Sequence, residues 1–231
     1  MELFYTTNIE NNLAYLDEQE SMHCIKVLRH KKDDELLLTD GKGNKYFTKI
    51  TDENSRKCVL QIESAVTESQ RDFYLHIAIA PTKAIDRFEW FLEKATELGV
   101  EEITPLQCRY SERKHLNHER CEKILIAAMK QSNRLHLPKL NEMISFQKFS
   151  EIDFNGSKAI AHCEPTEKKL LQNFISTNKS LLILVGPEGD FSKEEIQLTI
   201  SKNFEPVSLG VKRLRTETAA VHVCSAVSLF S

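Results

Sequence analysis

Glycine is scarce in this chain, with seven residues in 231. A sequence so sparing places glycine where backbone must turn sharply or approach a ligand closely, so the few positions present are informative. Long apolar runs are absent too. None approaches the ~20 residues that a membrane-spanning helix needs, and no membrane association is expected. The opening MELFYTTNIE is polar and acidic, unlike a secretory signal. There is no C-x-x-C pair: Cys24, Cys58, Cys108, Cys121, Cys163 and Cys224 stand singly. Spacing this loose suits reduced thiols in the cytoplasm rather than a disulfide framework. Also missing are G-x-G-x-x-G, a Walker lysine and G-x-S-x-G. Their absence excludes a dinucleotide fingerprint, a phosphate cradle and a hydrolase nucleophile elbow. His115-x-x-His118 has no cysteine or carboxylate set to complete a zinc site, so no metal is expected.

A strong charge of one sign is lacking as well: the formal net charge is −3. The distribution is uneven. Residues 1–70 carry nine Lys/Arg against thirteen Asp/Glu, whereas Arg109–Lys148 carry nine against four, with His115, His118 and His136 besides. A basic segment inside an acidic chain is either a solvated helix face or an electrostatic footprint for nucleic acid.

What is present divides near the polar stretch TESQRD, giving expected domains 1–70 and 71–231. Before it, ELFYTT, the hairpin-like DELLLTDGKGNKYFTKITD and KCVLQIESAVTES read as short strands of a small barrel. Between them LDEQESMHCIKVLRHK has helical spacing, with Met22, Ile25 and Leu28 in line. After it, FYLHIAIA, EEITPLQ, KAIAHC, SLLILVG and PVSLG are short apolar runs, each followed by an amphipathic segment. That alternation predicts βα units and a mainly parallel sheet with helices on both faces. AIDRFEWFLEKATELG closes on Gly99 as a C-terminal cap. SKEEIQLTISKN opens with Ser192 and Glu195 in capping-box spacing. TETAAVHVCSAVSLF is apolar on most sides and is expected to be buried, or to lie at an interface.

Chemistry concentrates near the C-terminus. Gly186, Gly189 and Gly210 sit at the exits of LLILV and PVS, and ligands bind beyond the carboxyl ends of strands in such sheets. With no phosphate cradle, a neutral adenosine suits these loops. Each loop alone reads equally well as a tight βα turn. Arg213, Arg215 and Glu217 fall within five residues, before a helix too apolar to be a surface element. Charges entering a buried region need partners or a ligand. A plainer reading makes Glu217 a first-turn carboxylate favoured by the helix dipole. In the basic segment, Lys123, Lys130 and Arg134 form a helical stripe beside a core face of Cys121, Ile124, Leu125, Ala128, Ser132 and Leu135. Such a stripe tracks a nucleic-acid backbone or is simply solvated.

As a set, HCIKVLR, LEKATELGV, MKQSNRLHLPKL, GPEGDFS and LGVKRLRTETAA resemble the RsmE family of ribosomal RNA methyltransferases, in the right order and spacing. That family belongs to the SPOUT class. The resemblance implies S-adenosylmethionine as cofactor, methylation of a uridine N3 in small-subunit RNA, a C-terminal SPOUT domain with a trefoil knot, and an N-terminal PUA-like RNA-binding barrel. It also implies a homodimer acting on the small ribosomal subunit. Carried over position by position, cofactor contacts are expected from Cys163, Glu164, Gly186, Pro187, Glu188, Gly189, Leu209, Gly210, Leu214 and Ala219. RNA contacts are expected from His23, Arg29, Lys123, Lys130, Gln131 and Arg134, and catalytic roles from Arg134, Arg215 and Glu217. One departure is visible: Asp190 stands where the family usually has a second glycine. Two alternatives stay open, namely an inactive RNA-binding or assembly factor of the same fold, and a SPOUT enzyme acting on another nucleotide or a ribose 2′-hydroxyl.

Overall fold

The computed structural model describes residues 2–175 and 179–230. The chain forms two compact units: Met1–Gln70 with Ile126–Leu137, and Arg71–Leu125 with Pro138–Ser231.

In the first unit, strands β1 (Leu3–Tyr5), β2 (Ile9–Glu10), β3 (Leu13–Tyr15), β4 (Glu35–Thr39), β5 (Asn44–Asp52) and β6 (Val59–Thr67) make one sheet in the order β1-β4-β5-β6-β3-β2. Its pairs are antiparallel except β1 with β4. The hairpin expected around Gly41 and Gly43 is β4–β5. Register shifts in β5 at Phe47/Thr48 and Ile50/Asp52 let the long strand bend. Phe4, Ala14, Leu16, Cys24, Leu36, Leu38, Ile50, Cys58 and Leu60 bury together as its core. Residues after Ile126 join this unit through the bonds Gly43 N–H to Leu135 O and Leu137 N–H to Gly41 O, each 2.8 Å.

The helical segment of this unit differs from its periodicity. Helix α1 (Glu18–Met22) is capped by Asp17, whose side chain accepts from Glu20 N. It then widens into a π-helical turn over His23–Val27, and Arg29 follows in the left-handed region at φ 63°. Widening to i→i+5 bonds rotates the following residues off the expected stripe. Met22 and Leu28 are therefore exposed and Cys24 is buried instead.

The second unit is an all-parallel sheet. Its main strands are β7 (Tyr74–Ile79), β8 (Glu102–Gln107), β11 (Ser157–Ala161), β13 (Ser180–Val185) and β14 (Glu205–Ser208). These are the five apolar runs read from the sequence. Short strands β9 (Lys139–Leu140), β10 (Ile144–Ser145) and β12 (Lys169–Leu170) complete the order β10-β8-β7-β13-β11-β14-β12, with β9 on β8. Helix α2 (Ile85–Leu98) ends on Gly99 at φ 83°, as expected of a left-handed cap. Helix α3 (His118–Gln131) is followed by the short α4 (Phe146–Phe149) and α5 (Leu171–Ile175). Helix α6 (Lys193–Ser201) carries the full Ser192/Glu195 capping box. The last helix, α7 (Thr216–Phe230), packs on α2 and α5. It buries Ala220, Val223, Cys224 and Val227, yet leaves Leu229 77% exposed.

A polar cluster sits at the amino ends of β7 and β8. Glu102 accepts from Tyr74 Oη, Lys139 Nζ and Asn141 Nδ2. Burial alone would raise its pKa, but these bonds hold it down to about 2. Asn141 Nδ2 also donates to Thr104 Oγ1, and the Thr104 hydroxyl meets His76 Nε2 at 2.7 Å. Burial pushes the His76 pKa down to about 4. The 3.8 Å approach to Glu102 is therefore not an ion pair.

Candidate functional site

Strand β11 lies between β13 and β14, all three parallel. Chain order and spatial order part company here, which opens a crevice beyond the carboxyl ends of the strands. Three loops leave from that edge: His162–Glu164 after β11, Gly186–Asp190 after β13, and Leu209–Arg215 after β14. Together they enclose a cavity of about 610 Å³.

The loops are tied to one another. Asp190 takes φ 66°, the conformation a glycine would adopt freely. Its carboxylate accepts from Cys163 N at 2.7 Å and from Phe191 N at 2.9 Å, joining the first loop to the second. Arg213 Nη2 donates to Glu188 O at 3.0 Å, joining the third loop to the second. Thr216 Oγ1 donates to Gly186 O at 2.9 Å, which seats the start of α7 on the same turn. The aspartate that departs from the family pattern thus takes a backbone conformation open to glycine, and its side chain adds bonds that glycine could not make.

Gly210 has φ 129°, and a Cβ built there meets nothing within 4 Å. Its backbone is therefore open to a ligand. Gly186 is close-packed by Phe191, whereas Gly189 faces Tyr110. Of the expected cofactor contacts, Cys163, Gly186, Pro187, Glu188, Leu209, Gly210, Leu214 and Ala219 line the cavity. Glu164 and Gly189 stand outside its wall. Glu164 instead offers its carbonyl to Lys168 Nζ at 2.6 Å.

Arg215 and Glu217 line the same cavity but differ in setting. Arg215 is exposed, at the end of its loop. Glu217 is only 6% exposed, in the first turn of α7, and its Oε2 has no hydrogen-bond partner. Arg87 Nε, from α2, lies 4.0 Å from Oε1. His162 is 8% exposed, with neither ring nitrogen bonded. Burial, helped by Lys168, pushes its pKa down, so the ring is neutral. Buried polar atoms without partners are costly. A ligand that supplies polar contacts offsets that cost.

Sequence reasoning missed Arg87, His162 and Lys168 as cavity residues. Arg87 lies on the polar side of an amphipathic helix, and His162 follows an apolar strand. Neither position carries a local signal, because only the sheet order brings them together.

The expected RNA residues are distributed differently from a simple stripe. Lys130 Nζ is 2.5 Å from Glu20 Oε1, with the two side chains 17% and 12% exposed. It also lies over the Phe4 ring, so this ammonium is committed within the fold. Lys123 is exposed and pairs one helical turn back with Glu119. Helix α3 ends at Gln131, and Asn133 is left-handed at φ 54°, so Ser132, Arg134 and Leu135 fall beyond the helix. Arg134 is half-buried, Gln131 and Arg29 are exposed, and His23 Nε2 meets Glu2 Oε1 at 2.9 Å. Among the described residues no group of three or more His, Cys, Asp or Glu could hold a metal ion. No described helix is long and apolar enough to cross a membrane.

Comparison with known proteins gives this geometry a context. An RNA methyltransferase domain family matches residues 69–228, and an RNA methyltransferase PUA domain family matches residues 16–63. Ribosomal RNA small subunit methyltransferase E of Rickettsia conorii is 31% identical over 223 residues, covering 95% of this chain and 91% of that protein. A probable rRNA-methyltransferase of Porphyromonas gingivalis superimposes with a TM-score of 0.92 at 35% identity, over 100% of this chain and 98% of that one. A methyltransferase of Legionella pneumophila, solved with bound SAM, gives 0.88 at 28% identity, over 98% and 96%.

Proposed function

We infer the function from one premise: the chain belongs to the RNA methyltransferase family that includes ribosomal RNA small subunit methyltransferase E. It is an S-adenosylmethionine-dependent methyltransferase of small-subunit ribosomal RNA. The finer assignment, methylation of uridine N3, rests on the motifs quoted above. One observation of this structure carries the cofactor reading. The buried polar atoms of His162 and Glu217 lack partners, and both residues lie in the wall of a cavity bounded by three strand-exit loops.

The residues present fit the cofactor. Open backbone at Leu209 and Gly210 and the His162–Cys163 edge would hold the adenosine, with Leu214 and Ala219 as apolar contacts. When bound, S-adenosylmethionine supplies a methyl group activated by a sulfonium. This chain's own work is then to align the base and manage one proton. Uracil N3–H must lose its proton, and negative charge grows on the flanking carbonyl oxygens. Arg215, exposed at the cavity, supports that charge. Glu217 positions or accepts the proton, directly or through water. Arg134 adds a further catalytic contact, and His23, Arg29, Lys123 and Gln131 complete the RNA-contacting set. Lys130, committed to Glu20, supports that surface from within the fold instead of contacting RNA.

The protein works as a cytoplasmic homodimer whose C-terminal segment forms the SPOUT trefoil knot. The exposed apolar side chain of Leu229 near the end of α7 supports the dimer. No observation favours the inactive factor or the ribose 2′-hydroxyl enzyme over this reading.

Single-turnover methylation of small ribosomal subunits tests the roles. Glu217→Gln should lower the rate by ~10²–10⁴, the usual value of a positioned base. Arg215→Lys should lower it as well, because a point charge lacks the planar fork. A wild-type rate for Glu217→Gln removes Glu217 from the proton transfer.

A further inference from the structure

Among the described residues, only three buried side-chain polar atoms lack a hydrogen-bond partner: both ring nitrogens of His162 and Oε2 of Glu217. Both residues line one cavity. The other charged side chains in that wall, Arg87, Lys168, Glu188, Asp190, Lys212, Arg213 and Arg215, are exposed or half-buried. Glu217 alone is sealed in, at 6% exposure. Its nearest cation, Arg87 Nε, stands 4.0 Å from Oε1 on a side chain 42% exposed, where solvent screens it. Oε2 faces no counter-charge. A dipole effect at the start of α7 explains a carboxylate in the first turn, but an exposed one would serve equally well. It does not explain burial with one oxygen unpaired, which costs free energy.

We propose that Glu217 is the counter-charge by which this cavity selects a cationic ligand, a sulfonium or ammonium, over a neutral thioether of the same shape. The proposal rests on the reading that the cavity holds S-adenosylmethionine. The methyl donor carries a formal positive charge at sulfur, and its demethylated product, S-adenosylhomocysteine, does not. Their adenosine and amino-acid parts are identical, so loops that read only those parts hold both alike. A buried carboxylate distinguishes them. It favours the donor and weakens the hold on the product once the charge is gone, which clears the cavity for the next turnover.

Calorimetric titration of the full-length protein with three ligands tests this without measuring activity: S-adenosylmethionine, S-adenosylhomocysteine, and sinefungin, which bears an amine in place of the sulfonium. Wild-type protein should bind both cations at least about fivefold more tightly than the thioether, the effect of one charge pair at ~4 Å even at the dielectric of water. Glu217→Gln, nearly isosteric, should bring the two cations to the affinity of the thioether and leave the thioether unchanged. Equal weakening of all three ligands by Glu217→Gln overturns the proposal while leaving the cofactor site intact. So does a wild-type protein that holds the thioether as tightly as the cations, a result that stands even if the variant does not fold. Binding of none of the three by wild type removes the cofactor reading itself.

Discussion

Asp190 shows how one residue serves both the fold and the site. It holds φ 66° and spends its carboxylate on Cys163 N and Phe191 N, so two of the three cavity loops meet at its side chain. Replacing it separates the two duties. Asp190→Gly keeps the left-handed backbone and loses the tie. Asp190→Ala loses the tie and also pays the left-handed penalty of ~1–2 kcal/mol. Denaturant unfolding should therefore rank wild type above Asp190→Gly and Asp190→Ala lowest, with cofactor affinity weakened in both; equal stability of the two variants removes the strain argument. At this scale the sequence was readable where backbone chemistry dictates residue type, as at Gly99, Gly210 and Ser192. It was not readable at Arg87 or His162, whose significance comes from neighbours distant along the chain.

The elements were readable to the extent that their hydrophobic period was undisturbed. The five parallel strands and helices α2, α6 and α7 follow directly from alternation, caps and apolar faces. The π-helical turn at His23–Val27 and the end of α3 at Gln131 do not, because one extra residue in a turn or one left-handed asparagine leaves no trace in a periodicity. The end of α3 takes Arg134 off the stripe, and within the helix Lys130 is committed to Glu20. Lys130→Ala strips Glu20 of a largely buried partner and should destabilise the protein by about 1–3 kcal/mol. Lys123→Ala, at an exposed i,i+4 pair, should leave stability within ~0.5 kcal/mol and lessen the salt dependence of RNA binding. Thermal melts paired with salt-dependent RNA titrations check both, and a neutral Lys130→Ala contradicts the assignment. In the second unit, β7 and β8 carry a pH-sensitive pair of groups. His76 has a pKa of about 4 when folded, against an ordinary value of 6.5. The unfolded chain thus binds more protons between those values, and stability should fall as pH drops from about 6.5 to about 4, by up to about 3 kcal/mol. Glu102, held down to about 2, adds a loss that begins near pH 4.5. His76→Phe should flatten the upper part of that fall in melts between pH 7 and 4.5. Parallel curves for the two proteins show that His76 is not its source.

At the scale of the whole molecule, topology does what no single element can. Placing β11 between β13 and β14 gathers three loops from separate stretches of chain around one cavity, and α7 delivers Glu217 to its wall. The quoted motifs identified two of those loops by their glycines, and the third only through the family resemblance. The expectation of a knot came from the resemblance alone, since a knot has no signature in composition or period, and that of a dimer from the resemblance together with the apolar final segment. The reaction proposed for this assembly is methylation of uridine N3 in small-subunit ribosomal RNA. The most direct measurement is mass spectrometry of nucleosides from that RNA, in cells with the gene, without it, and complemented by wild type or Glu217→Gln. N3-methyluridine should be lost on deletion, return with wild type, and stay low with Glu217→Gln. N3-methyluridine persisting at its full level after deletion would contradict that reaction.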